Sequence, residues 1–227
     1  MHAARLLFAL LAVAACGLLA ACGGGGDEDE TTTSAAEPAQ CTEVEPPPAK
    51  DQSFRKPGQA IEPGQPATAS VQTSCGTFVI ELDTQQSPRT ANSFAFLAEQ
   101  GFYDDTVFHR IVPGFVIQGG DPKGSDPNLA GGGGPGYSVR EPPPQRAEYT
   151  RGVVAMAKTG VEPPGTSGSQ FFVVTAPADA GLPPDYAILG EVSNGMDVIE
   201  AIGALGDPGT EQPTQTVVVE KVTIESG

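Results

Sequence analysis

From Thr68 to its C-terminus the chain alternates short β-rich runs with Gly- and Pro-rich breaks, which leaves few folds open. ATASVQTS and TFVIELD flank Cys75-Gly76 as a hairpin, and TVFHRIV and FVIQGG flank Pro113-Gly114, a pair suited to a type II turn. GVVAMAK, QFFVVTA, YAILGEV and TVVVEKVTIES are further strand-like runs. Only two stretches carry helical spacing. In SPRTANSFAFLAEQGFY, Ser87 suits an N-cap and Pro88 the first helical position. Phe94, Leu97 and Ala98 then share a face before Gly101 ends the helix. The second is GMDVIEAIGAL. Many strands with two helices point to a mainly β fold, built as an antiparallel sheet, sandwich or barrel.

The first 66 residues read differently. MHAARLLFALLAVAACGLLAACGGGG has one Arg, an apolar run and small residues, the layout of a signal peptide. Leu19-Ala20-Ala21-Cys22 resembles the lipobox of bacterial lipoproteins, in which the chain is cut before a Cys that takes lipid. Residues 1–21 are therefore expected to be removed and Cys22 to carry the anchor; ordinary cleavage at the Ala-rich site without lipid is the alternative. Residues 22–66 contain GGGGDEDETTTSAAEP and Pro-rich EPPPAK and KPGQAIEPGQP, and are expected to form a flexible tether. Residues 67–227 form the expected folded domain. The mature protein is then extracytoplasmic, held to a membrane by lipid alone, in an oxidising compartment. Of four cysteines, Cys16 leaves with the signal and Cys22 takes lipid, so Cys41 and Cys75 are expected to pair; two free thiols are the alternative. The formal net charge of −16 argues against nucleic acid and against anionic lipid surfaces.

Several motif matches dissolve on inspection. Gly131, Gly133 and Gly136 satisfy GxGxxG, but no strand precedes and no helix follows, so a turn-rich loop is expected. SFRK at Ser53–Lys56 and KTG at Lys158–Gly160 match two motifs of penicillin-recognising serine enzymes. Lys56 runs straight into Pro57-Gly58, where no helix can hold the serine. His109, the one His outside the signal segment, alternates with Val107 and Ile111 and is expected to be packed rather than to act as a base. No His or Cys set has metal-ligand spacing, and no cofactor is implied.

FHRIVPGFVIQGGDP (Phe108–Pro122), followed by GVVAMAKTG, SGSQFFVVTA and LPPDYAILGEV, closely resembles the cyclophilin family of peptidyl-prolyl isomerases. SPRTANSFAFLAEQGFYDDTV fits that family's first helix and following strand. The resemblance covers about Thr68 to the C-terminus and implies a closed eight-stranded antiparallel β-barrel capped by two helices, with its groove on the outside of the barrel. Arg110 stands where the family has its catalytic Arg. Phe115, Val116, Phe172 and Leu182 fall on positions that hold the proline ring. Gln118 and Gln170 fall on hydrogen-bonding positions. Ala157, Lys158 and Thr159 fall on the segment lining the residues before the proline. Tyr186 stands where the family often has His, Gly181 where it often has Trp, and Lys158 where Asn is common. VEPPGTSGS is longer than the usual connection.

The implied reaction explains why no nucleophile is present. An X–Pro bond turns over a barrier near 20 kcal/mol set by amide resonance, in roughly 10–100 s uncatalysed. No bond breaks, so a catalyst need only favour the twisted amide. Arg110 can donate to its basic nitrogen while an apolar pocket clamps the ring, with Phe115 and Gln118 completing the catalytic set. Expected partners are proline-containing exported polypeptides, bound by a monomer. A barrel that grips proline segments without catalysis is the alternative.

Overall fold

A computed structural model describes residues 39–227. The chain runs through β1 (Ala67–Thr73), β2 (Gly76–Leu82), α1 (Pro88–Glu99), β3 (Thr106–Val107), β4 (Arg110–Val112) and β5 (Val116–Gly119). After a loop come β6 (Val139–Arg140), β7 (Val153–Met156), β8 (Thr166–Ser167) and β9 (Phe171–Val174). β10 (Ile188–Asn194), α2 (Met196–Gly203) and β11 (Val218–Ser226) complete it. β6 and β8 pair on their own. The other strands form one antiparallel sheet in the order β3-β11-β1-β2-β10-β7-β9-β5-β4.

The two edge strands of that sheet are successive pieces of one run, Thr106–Val112, broken only at Phe108 and His109. β3 pairs with β11 at one edge and β4 with β5 at the other. An isolated bridge between Val107 and Asp121 ties β3 to the chain just past β5, the neighbour of β4. The sheet thus curls until one interrupted strand belongs to both ends, and counted once it gives the eight strands expected. Closure removes the exposed edges that an open sheet would present.

Strand periodicity sorts the side chains. Along β9, Phe171 and Val173 join the main core inside the sheet, whereas Phe172 and Val174 join a second apolar cluster on its outer face. Along β7, Val154 and Met156 point in, and Ala155 points out. Both helices add apolar faces to the inner core, with Phe94, Leu97 and Ala98 from α1 and Val198, Ile199 and Ile202 from α2. Ser87 sits at the N-cap of α1 but makes no side-chain cap bond. Glu141 from a distant loop accepts from the Thr90 N–H at 2.9 Å instead, so a tertiary contact supplies the acceptor the sequence assigned to Ser87.

Residues 39–66, expected to be flexible tether, are instead packed on the barrel. Cys41 is bonded to Cys75, and the Thr42 N–H donates to Ser74 O at 2.8 Å. The Lys50 ammonium donates to the carbonyls of Gly101, Phe102 and Asp104, satisfying backbone beyond the end of α1. Burial pushes the Lys50 pKa below its ordinary value, with Asp104 and Asp105 opposing. Phe54 meets Phe96 edge-on at 5.2 Å between centroids. Ile61 is 4% exposed, and Asn92 Oδ1 accepts from the Ala60 and Ile61 N–H groups at 2.8 and 3.2 Å. This segment is called the strap below. The signal segment, Cys22 and residues 23–38 lie outside the described residues.

Candidate active site

Sheet register assembles the site. Arg110 on β4 lies opposite Gln118 on β5, Gln118 opposite Phe172 on β9, and Phe172 opposite Ala155 on β7. These four residues form one row across four strands, about 4.8 Å apart per step, all on the outer face. The Pro113-Gly114 turn sets the first pairing. Gly114 has φ 69°, the left-handed value a type II turn requires, and the Phe115 N–H donates to Val112 O at 3.0 Å.

Above this row lies a pocket of about 240 Å³. Val116 and Phe172 form a buried floor, at 2% and 5% exposure, and Phe115, Leu182 and Tyr186 form half-buried walls. Arg110 and Gln118 stand at one side, and Ala157 and Lys158 at another. A larger depression of about 520 Å³ adjoins it and shares Gln118, Ala157 and Lys158. Thr159 and Gln170 lie in the larger one, whose opposite wall is the Gly131–Gly136 loop. All eleven catalytic and substrate-binding residues singled out in the sequence therefore fall on one continuous groove.

The polar groups form a connected chain. Arg110 Nε donates to Glu211 Oε2 at 2.8 Å, and Arg110 Nη1 to Gln118 Oε1 at 3.4 Å. Gln118 Nε2 donates to Gln170 Oε1 at 3.1 Å. Gln170 Nε2 in turn donates to the Gly133 and Gly131 carbonyls at 2.9 and 3.1 Å. The Arg110–Glu211 pair is 36% and 48% exposed, so it adds little stability; its effect is to fix the guanidinium plane. The remaining guanidinium N–H groups have no acceptor among the described residues and border the apolar pocket.

Three contributors were not legible in the sequence. Glu211 is 101 residues from Arg110 and has a left-handed φ of 59°, held where its carbonyl accepts the Ile111 N–H at 2.8 Å. Tyr149, fully buried, donates through its hydroxyl to Tyr186 O at 2.7 Å and accepts the Tyr186 N–H at 3.0 Å, which fixes that pocket wall. Asp121, 1% exposed, accepts the N–H groups of Lys123, Gly131 and Gly133. Lys158 proves to be a brace. Its ammonium donates to Thr159 O and Glu162 O at 3.2 Å, lies 3.9 Å from Asp185 and sits 5.7 Å over the Tyr186 ring. It thereby folds the long VEPPGTSGS connection against the groove.

His109 is packed, as its spacing implied, and both ring nitrogens are buried without a hydrogen-bond partner. Burial lowers its pKa, against Asp121 and a nearby Val107 carbonyl, with Arg110 adding to the lowering. The unfolded chain therefore binds a proton at a higher pH than the native one. His109's contribution to stability is complete above the unfolded pKa of about 6.5 and is lost as pH falls through the lower native value. The expected result is a melting temperature that declines as pH drops below about 6.5, and a His109→Gln variant without that decline. Thermal unfolding across this range checks it; identical pH dependence in both proteins would refute it.

Comparison with known proteins agrees with this geometry. Residues 68–224 match the model of the family described as cyclophilin type peptidyl-prolyl cis-trans isomerase/CLD. Peptidyl-prolyl cis-trans isomerase-like 1 of Neurospora crassa is 39% identical over 158 residues, covering 68% of this chain and 92% of the relative. Peptidyl-prolyl cis-trans isomerase B of Streptomyces anulatus is 38% identical over 177 residues, covering 70% and 96%. A crystal structure of a Cryptosporidium parvum cyclophilin type isomerase superposes with a TM-score of 0.63 at 28% identity, covering 71% of this chain and 99% of that one. A second structure of that protein was determined in the presence of the dipeptide Ala-Pro, with a TM-score of 0.62. The curled sheet, the outer-face row from Arg110 to Phe172 and these matches together place the chain in the cyclophilin-type peptidyl-prolyl cis-trans isomerase family.

Proposed function

We propose that the protein accelerates X–Pro isomerisation in exported polypeptides, outside the cytoplasm and held to a membrane by lipid on Cys22. The observation that carries the isomerase reading is the placement of a fixed Arg110 guanidinium beside an apolar pocket floored by Val116 and Phe172. A proline ring seated on that floor brings its amide to the edge where Arg110 retains unused donors. As the amide twists, its nitrogen regains a lone pair, and a hydrogen bond to it is stronger in the twisted state than in either planar one. That difference is what lowers a barrier. Glu211 and Gln118 hold the guanidinium before substrate arrives, so orientation costs nothing during the step. The relative determined with Ala-Pro supports the choice of ligand.

Turnover separates this from a barrel that only grips proline segments. At substoichiometric concentration the protein is expected to speed a proline-limited refolding reaction, whereas a pure binder would leave the rate unchanged or slow it. For location, the lipobox-like Leu19–Cys22 and the Gly-rich stretch after it support the anchor, and the Cys41–Cys75 bond supports an oxidising compartment. A Cys22→Ser variant is expected to leave the membrane fraction for the soluble one. Retention in the membrane fraction would defeat the lipid-anchor reading without touching the isomerase reading.

A further inference from the structure

We propose that strap residues Lys50–Phe54 are a positioning element of the substrate groove, acting through the Gly131–Gly136 loop; the effect on turnover rests on the isomerase reading. The loop holds five glycines in six residues, and glycine loses more conformational freedom on ordering than any other residue. Such a segment cannot fix its own shape, so its order must come from what touches it.

Two sides hold it. On the groove side, Asp121 Oδ2 accepts the Gly131 and Gly133 N–H groups at 2.6 and 3.2 Å, and Gln170 Nε2 donates to the carbonyls of the same glycines. The fit is tight enough that a Cβ on Gly133 would lie 1.9 Å from Asp121 Oδ1. On the far side stands the strap. The Phe54 N–H donates to Pro135 O at 2.7 Å, and a Cβ on Gly136 would meet Phe54 O at 2.9 Å. The Lys50 N–H donates to Pro122 O at 2.8 Å, next to Asp121, and Asp51 pairs with Lys123 at 3.0 Å. Phe54 is itself anchored on α1 by Phe96 and lies 6.4 Å from the Phe102 ring.

The strap therefore clamps the glycine loop between α1 and Asp121. The loop presents its carbonyls to Gln170, Gln170 accepts from Gln118, and Gln118 accepts from Arg110. Loss of the clamp returns the loop to many conformations and leaves the Gln170 amide only its longer bond to Asp121 Oδ2, at 3.4 Å, as a fixed acceptor. Side-chain placement at the groove degrades although no groove residue has changed.

Phe54→Ala tests this, with Phe54→Leu as the conservative rescue. Ile61→Ala is the control, since Ile61 anchors the strap elsewhere, in the inner core and through Asn92, and has no hydrogen bond to the glycine loop. Activity is read at a temperature where every variant is folded. Phe54→Ala is expected to lower kcat/KM on an X–Pro peptide roughly tenfold, Phe54→Leu to restore most of it, and Ile61→Ala to stay within about twofold of wild type while lowering the melting temperature. By NMR, the Gly131 and Gly133 amides and the Gln170 side-chain amide are expected to shift or broaden in Phe54→Ala and not in Ile61→Ala. Unmoved Gly131 and Gly133 resonances in Phe54→Ala would overturn the inference, as would equal activity losses in Phe54→Ala and Ile61→Ala. An inactive wild type would instead overturn the isomerase reading, and the resonances would still decide whether the strap positions the loop.

Discussion

Arg110→Ala is expected to lower kcat/KM for X–Pro isomerisation by about 10²–10³-fold, the loss typical of removing one preorganised donor from a transition state, or about 2.7–4 kcal/mol. Most of it should fall on kcat, because the planar amide offers Arg110 little to bind and the twisted one offers a lone pair. Binding should survive, since the floor and walls of the pocket are Val116, Phe172, Phe115 and Leu182. The fold should survive too. Arg110 is about a third exposed, and its partners Glu211 and Gln118 reach solvent or each other's neighbours once it is gone. Arg110→Lys separates charge from geometry. It keeps the cation but lacks the planar fork that Glu211 and Gln118 grip, so a value between wild type and the Ala variant is expected. Peptide isomerisation followed by NMR exchange gives both constants. Equal turnover in wild type and Arg110→Ala would leave only the proline-binding module.

How much of this could be read from the sequence depends on distance along the chain. Arg110 and Gln118 share a hairpin with a turn whose chemistry is written in Pro113-Gly114, and period-two alternation sends them outward while Ile111 and Ile117 go in. The Phe172 row position follows from the same alternation in QFFVVTA. Glu211 was invisible, because nothing in an irregular loop marks which polar residue will reach an arginine 101 positions away. The order of the strap is hidden in the sequence for a related reason. Phe54 and Ile61 are isolated apolar residues among prolines and polar groups, with no helical or strand period, which is the composition of a linker. What orders them is a surface made elsewhere, the Asn92–Phe96 face of α1, together with backbone groups near the end of that helix. Propensity reports what a segment does alone, and these 28 residues are ordered by what they lie against.

The bond between Cys41 and Cys75 closes a segment with a sequence separation of 34, and this sets the second large effect. In the chain-entropy account, a loop of that length restricts the unfolded state by about 3–4 kcal/mol. For a domain of this size, that amount corresponds to a fall in melting temperature of roughly 6–16 °C. A Cys41→Ala/Cys75→Ala double variant is expected to show it, and reduction of the wild type with a thiol should show nearly the same fall. The comparison matters because Cys75 is buried against the inner core. Reduction keeps both sulfur atoms and breaks only the cross-link, whereas the double variant also removes their packing, so any excess loss in the variant measures the packing. Activity at 25 °C should be nearly unchanged in both. The strap's grip on the glycine loop runs through Lys50, Asp51 and Phe54, well past Cys41, and those contacts do not depend on the bond. A large loss of melting temperature with retained turnover would thus show that the cystine acts on the unfolded chain. A parallel loss of turnover would show instead that it holds the strap against the barrel.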